Sequence, residues 1–179
     1  MARQGGVNWV AQCVRFDIAT AVSQASVMSE PKEAHLGEGL SSRMGYISCI
    51  NGTAFSGGSK LAKFQCSGVF DVELAGAVSA TKDIVYRREF LRELGFPQEH
   101  ATRLYSDNKA TIAFVDKQVI TSNNKHILAR GAYALETQKK GQIEMIHIPG
   151  IHNPSDMLTK NLSEEKIKTH MRRIGFIDI

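Results

Sequence analysis

Apolar positions in the first part of the chain recur at helical spacing. Trp9, Val10, Cys13 and Val14 are followed by Ile18, Ala21, Val22, Ala25 and Met28. The period predicts helix over residues 8–28, with Asp17 as an N-cap and Pro31 as the stop. Lys32 to Arg43 is polar and Gly-rich, as a loop is. The pattern then turns to strand. Gly45 to Ile50 predicts one strand, Asn51-Gly52 a tight hairpin turn, and Thr53 to Ser56 the returning strand. Gly57-Gly58-Ser59-Lys60 reads as a further turn without P-loop spacing, and residues 60–70 as a third short strand with Phe64 and Val69 inward.

The longest helical period runs from Asp71 to Leu94, with Leu74, Ala77, Val78, Val85 and Leu91 near one face. Gly76 inside it costs about 1 kcal/mol against alanine, which predicts a close contact there. Gly95 and Pro97 end the helix. Arg103 to Ser106 predicts a strand, residues 109–117 a helix, 126–139 another helix stopped by Gly141, and Gln142 to Ile148 a strand closed by Pro149-Gly150. A short helix follows Asn153-Pro154. Ser163 caps a last one, with Glu164 and Glu165 at its positive end and Arg172 and Arg173 at its negative end. A hairpin followed by strands alternating with helices predicts an α/β protein with a mixed sheet, antiparallel then parallel, flanked by helices.

Composition narrows the class. The chain has 179 residues, 42% hydrophobic and 22% charged, enough for a real core. A net charge of +4 favours an anionic partner, of which nucleic acid is the commonest. Cys13, Cys49 and Cys66 have neither zinc-ligand nor disulfide-framework spacing, and read as buried small side chains in a reducing compartment. No apolar run is long enough to span a membrane, and no targeting signal is recognisable, which predicts an intracellular protein, cytoplasmic or nuclear.

Three acids stand out against this pattern. Asp107 falls where the strand Leu104-Tyr105-Ser106 ends and a helix begins, the position at which open α/β sheets do their chemistry. Glu73 lies near the start of the long helix, and Asp156 in the short one after Pro154. Together they predict a carboxylate cluster for a divalent metal. Mg²⁺ prefers such hard oxygen ligands.

Phe70-Asp71-Val72-Glu73-Leu74, Leu104 through Ala113, Asn124-Lys125-His126-Ile127 and Asn153 through Lys160 occur in that order. In this order they resemble the ribonuclease H domain of copia-type LTR retrotransposon Pol polyproteins. Ser42-Arg43-Met44-Gly45-Tyr46 resembles that domain's Ser-x-Ser-Gly-Tyr strand opening. Arg15-Phe16-Asp17-Ile18 resembles the end of the preceding reverse transcriptase. The resemblance divides the chain into a helical reverse-transcriptase remnant over 1–36 and a truncated ribonuclease H-like domain over 37–179.

It implies Mg²⁺-dependent hydrolysis of the RNA strand of RNA–DNA hybrids, with four carboxylates holding two Mg²⁺ ions. Glu73, Asp107 and Asp156 correspond to the second, third and fourth. Glu73 is preferred to Asp71 because Ala80 follows it at the family's offset. His152, in the loop before Asp156, is an auxiliary candidate for proton transfer. Lys125, Lys139, Lys140 and Lys160 are candidates for phosphate contacts, while His126 and His147 read as structural. Implied partners are an RNA–DNA hybrid or other nucleic acid, and the reverse-transcriptase portion of the polyprotein.

The chain departs from the family in one respect that matters. The first aspartate and its central strand are missing from their place, where Gly37-Glu38-Gly39-Leu40-Ser41 stands instead. Asp17 and Glu38 are the possible replacements. The tryptophan usual after the hairpin and the Asp usual after Lys-His-Ile (here Leu128) are absent as well. Three readings therefore stay open: a working nuclease, a nuclease-dead domain that binds nucleic acid or serves a connecting role, and a fragment without a selected role.

Overall fold

The computed structural model describes residues 43–62, 68–117 and 125–176. The helix expected over 8–28, the reverse-transcriptase remnant, Cys13, Cys66 and Phe64, and the candidate acids Asp17 and Glu38 lie outside the described residues. So do the side chains of Lys125 and His126. The chain divides into two compact units, one built from residues before Cys66 together with Pro154–Ile179, the other from Cys66–Asn153.

In the first unit, strands β1 (Arg43–Ile50) and β2 (Thr53–Leu61) pair antiparallel. Asn51 and Gly52 make the turn with φ of 51° and 80°, the left-handed pair that a two-residue hairpin requires. β2 runs through Gly57-Gly58-Ser59-Lys60, where the sequence predicts a turn. The register explains this: Tyr46 stands opposite Gly58, and a Cβ on Gly58 would sit 3.0 Å from the Tyr46 ring. Glycine there makes room for an aromatic neighbour rather than for a bend. The hairpin packs on a 3₁₀ turn, Pro154–Leu158, and on the last helix, which is α4 (Glu164–Arg173) below. Ala54, Met157, Leu158, Met171 and Ile174 form this unit's core. Ser163 stands at the N-cap of that helix but makes no side-chain capping bond, contrary to expectation. At the other end of the helix, the Ala54 N–H donates to the Ile174 carbonyl (2.7 Å).

In the second unit, helix α1 (Val69–Glu93) starts two residues earlier than its apolar period, so Val69, expected in a strand, opens the helix. The Phe96 N–H bonds back to Leu91 and the Gly95 N–H to Arg92, with Gly95 at φ 86°. Strand β3 (Thr102–Ser106) pairs in parallel with β4 (Ile143–His147), and between them come α2 (Lys109–Lys117) and α3 (Lys125–Lys139). Parallel strands need such a helical crossover. Leu74, Ala77, Phe114, Val115, Ala134, Leu135 and Met145 make the core, with Phe70, Val78, Leu104 and Ile112 packed against it. Phe70 meets Phe114 edge to face at 5.9 Å. α3 approaches closely because Gly131 has no side chain; a Cβ there would stand 2.5 Å from Phe114 Cε1. Arg88 ties α1 to the segment leading into β3, donating to the carbonyls of Gln98 and His100 and to the Thr102 hydroxyl. Gly76 is buried in α1.

Among the described residues the chain is mixed α/β, with one antiparallel and one parallel strand pair. No helix among the described residues is long and apolar enough to cross a membrane.

Candidate active site

Asp107 follows β3 directly, and α2 begins two residues later. Its neighbours fix the backbone there. Asn108 caps α2: its Oδ1 accepts from the N–H groups of Ala110 (2.9 Å) and Thr111 (3.0 Å). The Ser106 hydroxyl accepts from the Asn108 N–H (3.2 Å), and the Ser106 carbonyl accepts from the Ile148 N–H (3.0 Å). Asp107 is therefore held at the positive end of a capped helix, where a carboxylate is favoured. A Cβ on Gly150 would lie 3.2 Å from Asp107 Oδ2. The 3₁₀ turn Gly150–His152 thus begins against this carboxylate. His152, at the end of the turn, is exposed.

Glu73 lies on α1 in the same unit and is half-buried. Asp71, two residues before it, is 2% exposed and faces Arg130 of α3, with Oδ2 3.8 Å from Nη1. Its charge serves the packing of α1 on α3.

Asp156 belongs to the other unit, in the 3₁₀ turn Pro154–Leu158. Lys160 Nζ donates to both of its carboxylate oxygens, at 2.9 Å each. Its backbone carbonyl also accepts from the N–H groups of Thr159 and Lys160. Lys160, a candidate for phosphate, is engaged with the candidate ligand instead. Lys140 pairs with Glu136 at 2.7 Å, and Lys139 is exposed beside it. His147 is exposed at the end of β4.

Glu73, Asp107 and Asp156 have the oxygen chemistry that Mg²⁺ prefers. Among the described residues, however, no group of three or more His, Cys, Asp or Glu side chains is gathered closely enough to hold a metal ion.

Sequence reasoning missed three contributors. The Asn108 cap was legible in Asp107-Asn108-Lys109-Ala110, since Asn favours that position before a helix. The Asp156–Lys160 pair follows from the four-residue spacing. Gly150 against Asp107 had no local signal, because its partner is 43 positions away (150 against 107).

The fold is mixed α/β, with an acid, Asp107, where a parallel strand meets a helix. The chain is similar to the retrovirus-related Pol polyprotein from transposon TNT 1-94 of Nicotiana tabacum, 28% identical over 134 residues, which is 75% of this chain. It spans 10% of that polyprotein's length. This similarity supports a relationship to retrotransposon Pol polyproteins. No protein-family model matches the chain, and no solved structure matches it.

Proposed function

We propose that the chain is a ribonuclease H-like domain of a copia-type Pol polyprotein, with Mg²⁺-dependent hydrolysis of the RNA strand of RNA–DNA hybrids as its reaction. The observation that carries this reading is Asp107, fixed between β3 and the capped start of α2 in a chain similar to a Pol polyprotein. Glu73 and Asp107 are the ligands offered by the second unit, Asp156 of the first unit is the further ligand the family resemblance implies, and His152 is the auxiliary proton carrier. Mg²⁺ held by such carboxylates would supply charge stabilisation for a phosphodiester displacement. Asp107 brings a preset backbone, with Gly150 close to its Oδ2. Lys139 and its neighbours meet phosphate, and hybrid recognition rests on groove shape and the 2′-hydroxyl.

The test is cleavage of a labelled hybrid across a Mg²⁺ titration, with Asp107→Asn beside the wild type. Cleavage that Asp107→Asn abolishes is the expected result. A well-folded wild type that stays silent at every Mg²⁺ concentration overturns the nuclease.

A second reading has its own observation. Lys160 neutralises Asp156, and no three acids are gathered among the described residues. These favour a nuclease-dead domain that binds nucleic acid or connects parts of a polyprotein. Hybrid binding by a sample silent in the cleavage assay selects this reading.

A further inference from the structure

Among the described residues, β3 is paired on one side only, by β4. Its hydrogen bonds tell which residues face outward. The Thr102 N–H donates to Gln142, and the Ser106 carbonyl accepts from Ile148. In a parallel ladder alternate residues bond the same neighbour, so Thr102, Leu104 and Ser106 turn to β4. The N–H and C=O groups of Arg103 and Tyr105 point to the opposite edge, where no strand lies among the described residues. A two-stranded sheet is below the size that is usually stable, and an open edge templates pairing.

The edge is complementary to itself. We propose that β3 pairs antiparallel with β3 of a second copy of this chain, in register about Leu104. Arg103 and Tyr105 of one copy then stand opposite Tyr105 and Arg103 of the other. These are the residues with outward backbone groups, so the register closes four N–H···O bonds. A lone arginine ordinarily discourages edge pairing. In this register it lies against the 51% exposed ring of Tyr105 in the other copy, a cation–π contact made twice. On the core side, half-buried Leu104 meets its own equivalent at the close, non-hydrogen-bonded position, which extends the apolar cluster it already touches. The sheet becomes four-stranded, β4-β3-β3-β4. A shift of the register by two residues toward the amino end would set Arg103 against Arg103, which selects against that alternative.

The contact is small, so association is weak and depends on concentration. Sedimentation equilibrium of the full chain over a wide concentration range is expected to show monomer and dimer. Arg103→Pro removes an outward donor but none of the β3–β4 bonds, so it should be monomeric with unchanged circular dichroism. Arg103→Glu should weaken the dimer about tenfold, through the two lost cation–π contacts, and serves if the proline variant fails to fold. A wild type monomeric at every concentration overturns the proposal, as does either variant dimerising like the wild type. Slow amide exchange at Arg103 and Tyr105 in a monomer would also overturn it, by showing that the same chain covers the edge.

Discussion

Replacing Gly131 with alanine sets two effects of opposite sign against each other. Gly131 lies inside α3, where alanine gains about 1 kcal/mol of helix propensity. The added Cβ would stand 2.5 Å from Phe114 Cε1, 3.1 Å from its Cζ and 3.2 Å from Leu74 Cδ2. The Phe114 ring has little freedom to retreat. It is buried, and its other contacts include the edge-to-face meeting with Phe70. Leu74 is wholly enclosed. Forcing a methyl group into such a site costs about 1–3 kcal/mol. The packing cost wins, and Gly131→Ala is expected to destabilise the protein by about 1 kcal/mol. Urea unfolding followed by far-ultraviolet circular dichroism reads this directly, because α1, α2 and α3 carry most of the helix among the described residues. In a Phe114→Leu background the ring atoms are gone. There the same substitution should stabilise, giving a coupling of about 2 kcal/mol between the two positions. If Gly131→Ala alone raises stability by the full helical gain, the close approach of α3 to Phe114 is wrong.

Asn108→Ala removes both cap bonds at α2 and should cost about 1 kcal/mol in urea titration, while Asn108→Asp keeps most of it; no loss in the alanine variant would refute the cap. Gly141 and Gly175 both have positive φ, 67° and 86°, but only a Cβ on Gly175 meets anything, Thr53 Oγ1 at 2.8 Å. Gly175→Ala should therefore lower the melting temperature more than Gly141→Ala, and equal shifts would contradict the packing of Gly175 on the hairpin. Lys168 donates to Glu164 at 2.6 Å and holds its carboxyl below the ordinary glutamate range. A lowered folded pKa gives stability that is present above the ordinary glutamate value and is lost as pH falls through the folded one. An NMR titration of Glu164 should show the lowered midpoint, and Lys168→Met should restore it. Lys160→Met should change folding stability by less than about 1 kcal/mol and, on the nuclease reading, tighten Mg²⁺ binding. Weaker binding would count against Asp156 as a ligand.

Local signals were enough wherever the cause of structure was local. Asn51-Gly52 gives the hairpin because two consecutive positive φ values are cheap for that pair. The period of α2 gives its ends at residues 109 and 117. Gly57-Gly58 misled because a glycine pair looks the same whether it bends the chain or clears space for Tyr46 opposite it. Asp107 was legible at the end of its strand, since β propensity stops and a helix cap follows within two residues. Gly131 and Gly150 were not legible as contact points. Their roles depend on Phe114 and Asp107, which only the folded chain brings near. The similarity to a Pol polyprotein supports the retroelement relationship expected from the residue patterns.

The bond from Ala54 to Ile174 carries a consequence for how the molecule is made. It joins the hairpin to a residue synthesised 120 positions later (174 minus 54), and the second unit lies entirely within that interval. On the ribosome, Cys66–Asn153 can collapse while the hairpin still waits for its helix. The interrupted unit should therefore form last, and its apolar residues stay exposed to chaperones longest.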